Sequence, residues 1–297
     1  MKKVKDFIMN FINGFCMALA DSVPGVSGGT IAFLLGFYDK FIGSLDDLFR
    51  GNMEKKKEAL KFLIKLGCGW VVGFLIAASV LANFFNTKIY TMSSLFLGFI
   101  LFAIPVVIRE EKNTIKGKYK HLIFLLLGIA VVVGISLLTS TGGMNVDINN
   151  FNIGTIIYVF IAAMIAISAM ILPGISGSTL LLIFGLYIPI MTRAKALISF
   201  DFSVLPILIV FGLGMVAGIL TFTKLIRKCL EKYRSQTVFA ILGMMIGSMY
   251  SIVMGPTTLD VPQAAMTFST FNIIAFVIGG VIICGLELLK RYFEKTK

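Results

Sequence analysis

Long stretches without charge are the feature that most limits what this chain can fold into. Residues 153–191 contain no Asp, Glu, Lys or Arg, and neither do residues 122–139. An uncharged apolar run of about 18 residues or more is long enough to cross a bilayer as a helix. The chain is 14% charged, whereas a soluble domain has about 25%. The sequence therefore predicts an all-α polytopic membrane protein.

Composition also limits which partners and cofactors the protein is expected to bind. Net charge is +12, but the basic residues lie between apolar segments rather than in one patch, which argues against a nucleic-acid partner. The cysteines lie in or beside apolar segments without metal-ligand spacing. We therefore expect neither a metal ion nor a cofactor, and the oligomeric state stays open.

A repeated motif interrupts two of the apolar segments. Pro-Gly-x-Ser-Gly occurs at residues 24–28 and again 149 positions later, at residues 173–177. Identical residues recur at this offset: Ala20/Ala169, Pro24/Pro173, Gly25/Gly174, Ser27/Ser176, Gly28/Gly177, Thr30/Thr179, Gly36/Gly185 and Tyr38/Tyr187. Others recur at an offset of 145: Gly67/Gly212, Gly69/Gly214, Gly73/Gly218 and Gly98/Gly243. These ordered matches predict an internal duplication, with repeat 1 at residues 1–140 and repeat 2 at residues 153–297.

The basic residues predict the orientation of the apolar segments. These segments run over residues 7–42, 62–85, 89–108, 121–140, 153–192, 203–226, 237–254 and 270–288. Of the 27 Lys and Arg residues, 24 lie at the two termini or in the stretches 40–65, 109–120 and 224–234. The positive-inside rule places these regions in the cytoplasm. We therefore predict a multi-pass plasma-membrane protein with cytoplasmic N- and C-termini.

Each segment that carries the motif has both flanks on one side of the membrane. The flanks of 7–42 are predicted inside and those of 153–192 outside. We predict that each is a re-entrant helical hairpin turning at the motif, and that the other six segments cross once each. Three crossings per repeat invert the second copy, as in many secondary transporters. Ten full crossings would place the loops on the same sides, but the hairpin arms are short for a span of about 20 residues.

The motif itself predicts an anion site. Proline ends a helix and glycine lets the chain turn. A new helix then begins, where backbone N–H groups and hydroxyls can bind a phosphate or carboxylate. The predicted breaks are Pro24, Gly25, Pro173 and Gly174, and the predicted phosphate-binding residues are Ser27, Gly28, Gly29, Thr30, Ser176, Gly177, Ser178 and Thr179. The alternative is structural: hydroxyl caps, with glycines for close helix packing.

Three charged residues are further candidates. Asp21 is the one carboxylate deep in either hairpin, and its repeat counterpart is Met170. An acid at membrane depth is costly, so Asp21 is a candidate for coupling by proton uptake or for gating; the alternative is a cap or an ion-pair partner. Arg193 and Lys195 follow the second hairpin on the predicted outer side. There they would attract an anionic head group, although such residues also serve as interface anchors.

Two stretches resemble a known family of bacterial membrane proteins. Residues 20–38, which begin Ala-Asp-Ser-Val-Pro-Gly-Val-Ser-Gly-Gly-Thr, and residues 172–179 are similar to the motifs of DUF368. The resemblance implies a polyprenyl-phosphate translocase, a transporter and not an enzyme. Such proteins return undecaprenyl phosphate from the outer to the inner leaflet of the plasma membrane for cell-wall synthesis. The coupling partner, a proton or another cation, stays open.

Two other functions remain as alternatives. Undecaprenyl-pyrophosphate phosphatases similarly pair inverted repeats with re-entrant hairpins and Pro-Gly-x-Ser-Arg-Ser motifs. Here Gly28 and Gly177 stand at the arginine positions, and the hairpins have no counterpart of that family's glutamate cluster. A hydrolase needs such groups to stabilise the transferring phosphoryl group, which makes hydrolysis the weaker alternative. An anion channel or small-anion carrier would also use helix-terminus sites.

Overall fold

All regular secondary structure in the described part of the chain is helical, as predicted. The computed structural model describes residues 2–21, 27–76, 82–140, 152–258 and 262–295. The helices are α1 (Lys2–Asp21), α2 (Gly28–Leu34), α3 (Tyr38–Arg50), α4 (Met53–Ile76), α5 (Ala82–Glu110), α6 (Lys112–Ile115), α7 (Leu122–Ser140), α8 (Ile153–Ile171), α9 (Gly177–Ile183), α10 (Tyr187–Ile198), α11 (Leu205–Lys232), α12 (Arg234–Met254) and α13 (Ile273–Lys295). Short 3-10 turns cover Tyr119–His121, Phe202–Val204 and Gly255–Thr258.

Six helices in these ranges are long and apolar enough to cross a membrane. They cover Met53–Ile76, Lys88–Glu110, Tyr119–Leu138, Ile153–Ile171, Phe202–Lys232 and Arg234–Thr257. The apolar part of α13, Ile273–Leu288, is shorter. Five of the six overlap predicted spans, and α13 overlaps the remaining predicted span. The multi-pass membrane architecture is therefore confirmed.

Two differences between the helices and the predicted segments concern the predicted hairpins. α8 alone is long and apolar enough to cross, so the argument that the hairpin arms are too short does not hold for this arm. Whether segment 153–192 re-enters or spans stays a prediction. In the first half, α3 continues to Arg50, past the predicted end of its segment at residue 42. Its acidic residues pair with arginines, as described below.

Each predicted hairpin segment folds as three helices in the same order. A long helix, α1 or α8, precedes a seven-residue helix, α2 or α9, and then α3 or α10. In the second break Gly174 has a φ of +86°, which other residues rarely adopt. Gly36 and Gly185 turn the chain after α2 and α9 with φ values of 71° and 62°. These three glycines therefore supply backbone conformations that the turns require.

The two halves make matching helix contacts. α1 packs against α4, and α8 packs against α11. A Cβ added to Gly69 would lie 1.9 Å from the carbonyl oxygen of Phe11, and one added to its counterpart Gly214 would lie 2.4 Å from that of Phe160. Because no larger residue fits, these repeated glycines mark where the helices touch.

The halves also exchange helices. α5 of the first half packs against α13 of the second, and α12 of the second packs against α7 of the first. Added Cβ atoms would lie 2.1 Å from the carbonyl oxygen of Phe276 at Gly98, and 2.0 Å from that of Leu125 at Gly243. α5 and α12 also contact each other, so the two exchanged pairs are joined directly.

Candidate functional site at the junction of the two breaks

The two breaks lie against each other. The hydroxyl of Ser27, just before α2, donates a hydrogen bond to the carbonyl oxygen of Leu172 at 3.1 Å. The backbone N–H of Gly174 donates in return to the hydroxyl oxygen of Thr30 at 2.8 Å. All four residues are buried or half-buried. The break in the first half is therefore hydrogen-bonded directly to the break in the second half.

Tyr38 and Gly29 tighten this junction. The Tyr38 hydroxyl donates to the carbonyl oxygen of Ile171 at 3.2 Å, and a Cβ on Gly29 would lie 2.7 Å from the same oxygen. Ser27 also caps α2, since its hydroxyl accepts the N–H of Gly29 at 3.1 Å. Capping and close packing, the structural alternative, therefore describe what Ser27 and Gly29 do in this arrangement.

Asp21 ends α1 and faces the start of α2. One of its carboxylate oxygens accepts the backbone N–H of Gly28 at 2.7 Å, and the other accepts Nε1 of Trp70 at 3.0 Å. Among the described residues, no Lys or Arg lies within ion-pair distance of this carboxylate. The first N–H of α2 therefore binds an anion that the protein itself supplies.

A cavity of about 200 Å³ opens beside this carboxylate, between α8, α9 and α11. Its polar groups come from Asp21, Ser176 and the backbone of Gly177. Apolar side chains line the rest, among them Met170, Phe211 and Met215. Such a lining accommodates a small charged group attached to an apolar body.

The cavity wall receives chemically unequal residues from the two halves of the chain. The counterparts of Asp21 and Trp70 are Met170 and Met215, and both methionines line the same cavity. Only one half therefore presents an ionisable group and an indole donor. Sequence reasoning found Asp21 but missed Trp70, the only tryptophan in the chain. The signal lay in α4, where Trp70 directly follows the repeated Gly69 that packs against α1.

Most of this chain matches the model of one known protein family. The VCA0040-like family model, described as undecaprenyl phosphate translocase-like, matches residues 17–270. The chain belongs to this undecaprenyl phosphate translocase-like family. The relationship drawn from the two motifs is thereby confirmed.

Curated relatives of this translocase-like protein come from two bacteria. A protein of Staphylococcus aureus (strain NCTC 8325 / PS 47) is 33% identical over 281 residues, which cover 92% of this chain and 94% of the relative. One from Vibrio cholerae serotype O1 (strain ATCC 39315 / El Tor Inaba N16961) is 32% identical over 260 residues, or 84% of this chain and 79% of the relative. Each is named polyprenyl-phosphate transporter. These names agree with the expectation that the chain is not an enzyme. No solved structure matches it.

The remaining predicted site residues of the translocase-like chain lie in different places. Pro173 is buried in the second break, and Thr179 is half-buried in α9. Arg193 donates to the carbonyl oxygen of Pro189 one turn earlier in α10, at 3.2 Å, and is not among the residues that line the cavity. Outside the described residues lie Pro24, Gly25 and the side chains of Ser178 and Lys195.

The glycines at the arginine positions of the phosphatase motif have a packing reason in the translocase-like chain. A Cβ added to Gly28 would lie 2.6 Å from a carboxylate oxygen of Asp21. One added to Gly177 would lie 3.0 Å from the carbonyl oxygen of Ala166. Asp21 in its observed position thus leaves no room at Gly28 for the side chain that a phosphatase carries there.

Proposed function

We propose that this protein transports polyprenyl phosphate and returns undecaprenyl phosphate from the outer to the inner leaflet of the plasma membrane for cell-wall synthesis. The observation that carries the proposal is the cavity at the junction of the breaks, with polar groups at Asp21, Ser176 and Gly177 and apolar walls elsewhere. This lining suits a lipid whose charged head group enters the protein while its prenyl tail stays in the bilayer. The name of the relatives, polyprenyl-phosphate transporter, supports the same substrate class.

The head group is held by backbone N–H groups and hydroxyls of residues 27–30 and 176–179. In the described arrangement the first set is engaged within the protein, since Gly28 binds Asp21 and Thr30 binds Gly174. Ser176 and Gly177 line the cavity. The phosphate therefore enters beside the second break and reaches the first when Asp21 releases Gly28.

Asp21 is the coupling group in this proposal. A carboxylate and a phosphate about 5 Å apart repel each other by about 3 kcal/mol at an effective dielectric constant of about 20. Proton uptake by Asp21 removes this repulsion. It also weakens the hydrogen bond to Gly28, because bonds to a charged acceptor are roughly twice as strong as neutral ones. A proton on Asp21 therefore accompanies the phosphate.

Two inverted repeats supply the movement. The matching glycine contacts support a duplication, and the distribution of basic residues supports opposite orientations with cytoplasmic termini. Each repeat consists of a re-entrant hairpin and three spans, and rocking of one against the other exposes the cavity to each leaflet in turn. Arg193 and Lys195 attract the head group at the outer mouth.

Reconstitution tests the transport. Vesicles with purified protein and a fluorescent polyprenyl phosphate are treated with a membrane-impermeant quencher, so that protected signal reports lipid in the inner leaflet. We expect protected lipid to become accessible faster than in protein-free vesicles. Equal rates with and without protein would contradict the proposal. For the direction, depletion in cells that lack redundant carriers should leave more undecaprenyl phosphate exposed on the outer leaflet.

The same preparation separates the alternatives. Release of inorganic phosphate from undecaprenyl pyrophosphate would identify a phosphatase instead. Chloride or phosphate flux through vesicles without polyprenyl lipid would identify an anion channel or carrier.

A further inference from the structure

Ion pairs join α3 of the first half to α11 of the second. Arg227 in α11 contacts Asp46 at 3.0 Å and Asp47 at 2.7 Å, both in α3. Asp46 is buried, with 8% of its surface exposed. Arg50, at the end of α3, binds both Asp46 and the carbonyl oxygen of Leu220 in α11. The contact between these two helices is therefore built on charge as well as on packing.

A second cluster holds the opposite end of α3. Arg234, the first residue of α12, contacts Asp39 in the first turn of α3 at 2.6 Å. The same guanidinium forms two hydrogen bonds with the carboxylate of Glu111, directly after α5. Both ends of α3 are thus tied to arginines of the second half.

The positions related to these ion pairs by the repeat lack their charges. By the duplication, α10 corresponds to α3 and α4 corresponds to α11. α3 packs against α11, and the equivalent pair in the other half would be α10 with α4 and the residues that follow it. The charges differ, since the position that matches Arg227 holds Ala82. The three acidic positions of α3 correspond to Ile188, Lys195 and Ala196 in α10.

The ion pairs and the cavity lie at different depths. Met215, which lines the cavity, and Arg227 are both in α11 and are twelve residues apart. At 1.5 Å per residue this separation is about 18 Å along the helix. The ion pairs therefore lie beyond the cavity, toward the end of the molecule that carries the basic connections, which are the stretches 40–65, 109–120 and 224–234.

Ion pairs that only one of two related sets of positions can form distinguish the two ends of such a molecule. Transporters built from inverted repeats alternate between states in which equivalent contacts change ends. The end where the contact is formed is then closed, and interactions present in one state alone shift the population toward that state.

We infer that Arg227 and Arg234, with Asp39, Asp46, Asp47 and Glu111, form an ion-pair gate that closes the cavity at the end carrying the basic connections. Each time the cavity opens to that end, both arginines release α3, and α10 then approaches α4 at the other end. The inference rests on the proposed transport by alternating access and adds the residues that set which end is closed.

Thiol accessibility tests the gate without any lipid substrate. The four free cysteines, Cys16, Cys68, Cys229 and Cys284, are replaced by serine or alanine. A reporter thiol is introduced by Met215→Cys, at a half-buried position in the cavity wall. An impermeant maleimide is then applied from each face of oriented vesicles. In a separate sample, the exposed position of Lys55→Cys identifies the face that carries the basic connections.

Arg227→Gln is compared with Lys228→Gln, which removes the same charge from the next, exposed residue of α11. We expect Arg227→Gln to raise labelling from the gate face about tenfold and to lower it from the opposite face, whereas Lys228→Gln leaves both rates unchanged. Exchange of the pair, by Arg227→Asp with Asp47→Arg, should return both rates toward their original values. Arg234→Gln serves as a second gate variant if Arg227→Gln does not give a monodisperse protein.

Equal labelling of the arginine variants and Lys228→Gln on both faces would overturn the gate. That result would leave the transport proposal intact, because transport is measured separately with polyprenyl phosphate. A protein that shows the expected labelling but moves no polyprenyl phosphate would keep the gate and lose the proposed substrate.

Discussion

Nε1 of Trp70 donates a hydrogen bond to the carboxylate of Asp21 at 3.0 Å, across the contact between α4 and α1. The N–H of Gly28 holds the other carboxylate oxygen at 2.7 Å. Two donors from different helices therefore fix the orientation of this carboxylate at the cavity wall. At the matching offsets in the second half stand Met170 and Met215, so the two halves contribute unequal chemistry to one cavity.

Asp21→Asn should abolish coupling while the fold persists. The amide keeps the size of the side chain and an oxygen that accepts from Gly28, but it cannot take up and release a proton. We expect transport to fall at least about tenfold and to lose its dependence on pH. The melting temperature should fall by a few degrees, because the amide NH2 then faces the N–H of Trp70. The measurement is the vesicle transport rate over a pH series. Wild-type rates and pH dependence in this variant would assign Asp21 to structure alone.

Trp70→Phe should free the carboxylate without removing the aromatic packing. The ring of Trp70 stacks on Phe74, with centroids 5.1 Å apart, and phenylalanine preserves part of this contact. A hydrogen bond to a charged group contributes about 1.5–3 kcal/mol, so we expect transport to fall about tenfold. Phe74→Leu, which disturbs the stack but leaves the indole N–H, is the matched control and should stay within about twofold of wild type. Equal losses in the two variants would count against a positioning role.

Alanine substitutions should destabilise the protein at glycines that lie in helix contacts and not at glycines that face open space. Gly69→Ala and Gly214→Ala place a methyl group against a backbone carbonyl, and overpacking of this kind costs about 1–3 kcal/mol. We expect each to lower the melting temperature in detergent by several degrees. Gly67→Ala and Gly212→Ala meet nothing within 4 Å, and alanine favours a helix by up to about 1 kcal/mol. These controls should melt at or above the wild-type temperature; uniform behaviour of all four would contradict the repeated crossings.

Arg193→Gln should weaken capture of the anionic head group, with an effect that depends on salt. Attraction between exposed charges reaches about 10 Å at 0.1 M salt and about 3 Å at 1 M. We expect the initial transport rate to fall about twofold at low ionic strength and to match wild type near 1 M salt. Lys88→Gln, which removes an exposed charge from the same predicted side, is the control. A salt-independent loss in Arg193→Gln would point to packing instead.

The helical, multi-pass membrane architecture was predicted from the sequence and is confirmed, whereas the duplication stays a prediction that the repeated glycines support. Gly69, Gly98, Gly214 and Gly243 recur at a constant offset, and each lies where a neighbouring backbone comes too close for a side chain. Such positions keep their residue type because steric exclusion leaves no other choice. Segment topology was less predictable, because α8 has a composition that suits a full span as well as a re-entrant arm.

The polar contacts of the site could not be predicted in the same way. Ser27 and Thr30 were expected to bind substrate, yet in this arrangement they bind the second break. Likewise Arg227 and Arg234 were counted only as basic residues of a connection, although both pair with α3. Which acid contacts which base depends on how the two halves pack against each other. No local sequence pattern predicts contacts between residues so far apart in the chain.

The exchange of α7 and α13 between the halves has a consequence for biogenesis. The first half is translated and inserted before α12 and α13 are made. Until then, α5 and α7 lie in the membrane without the partner helices that pack against them. The contact with α5 forms only after α13 has left the ribosome. A chain truncated after the first repeat would therefore stay an unfinished intermediate, exposed to membrane quality control, whereas separately expressed halves retain the surfaces needed to join.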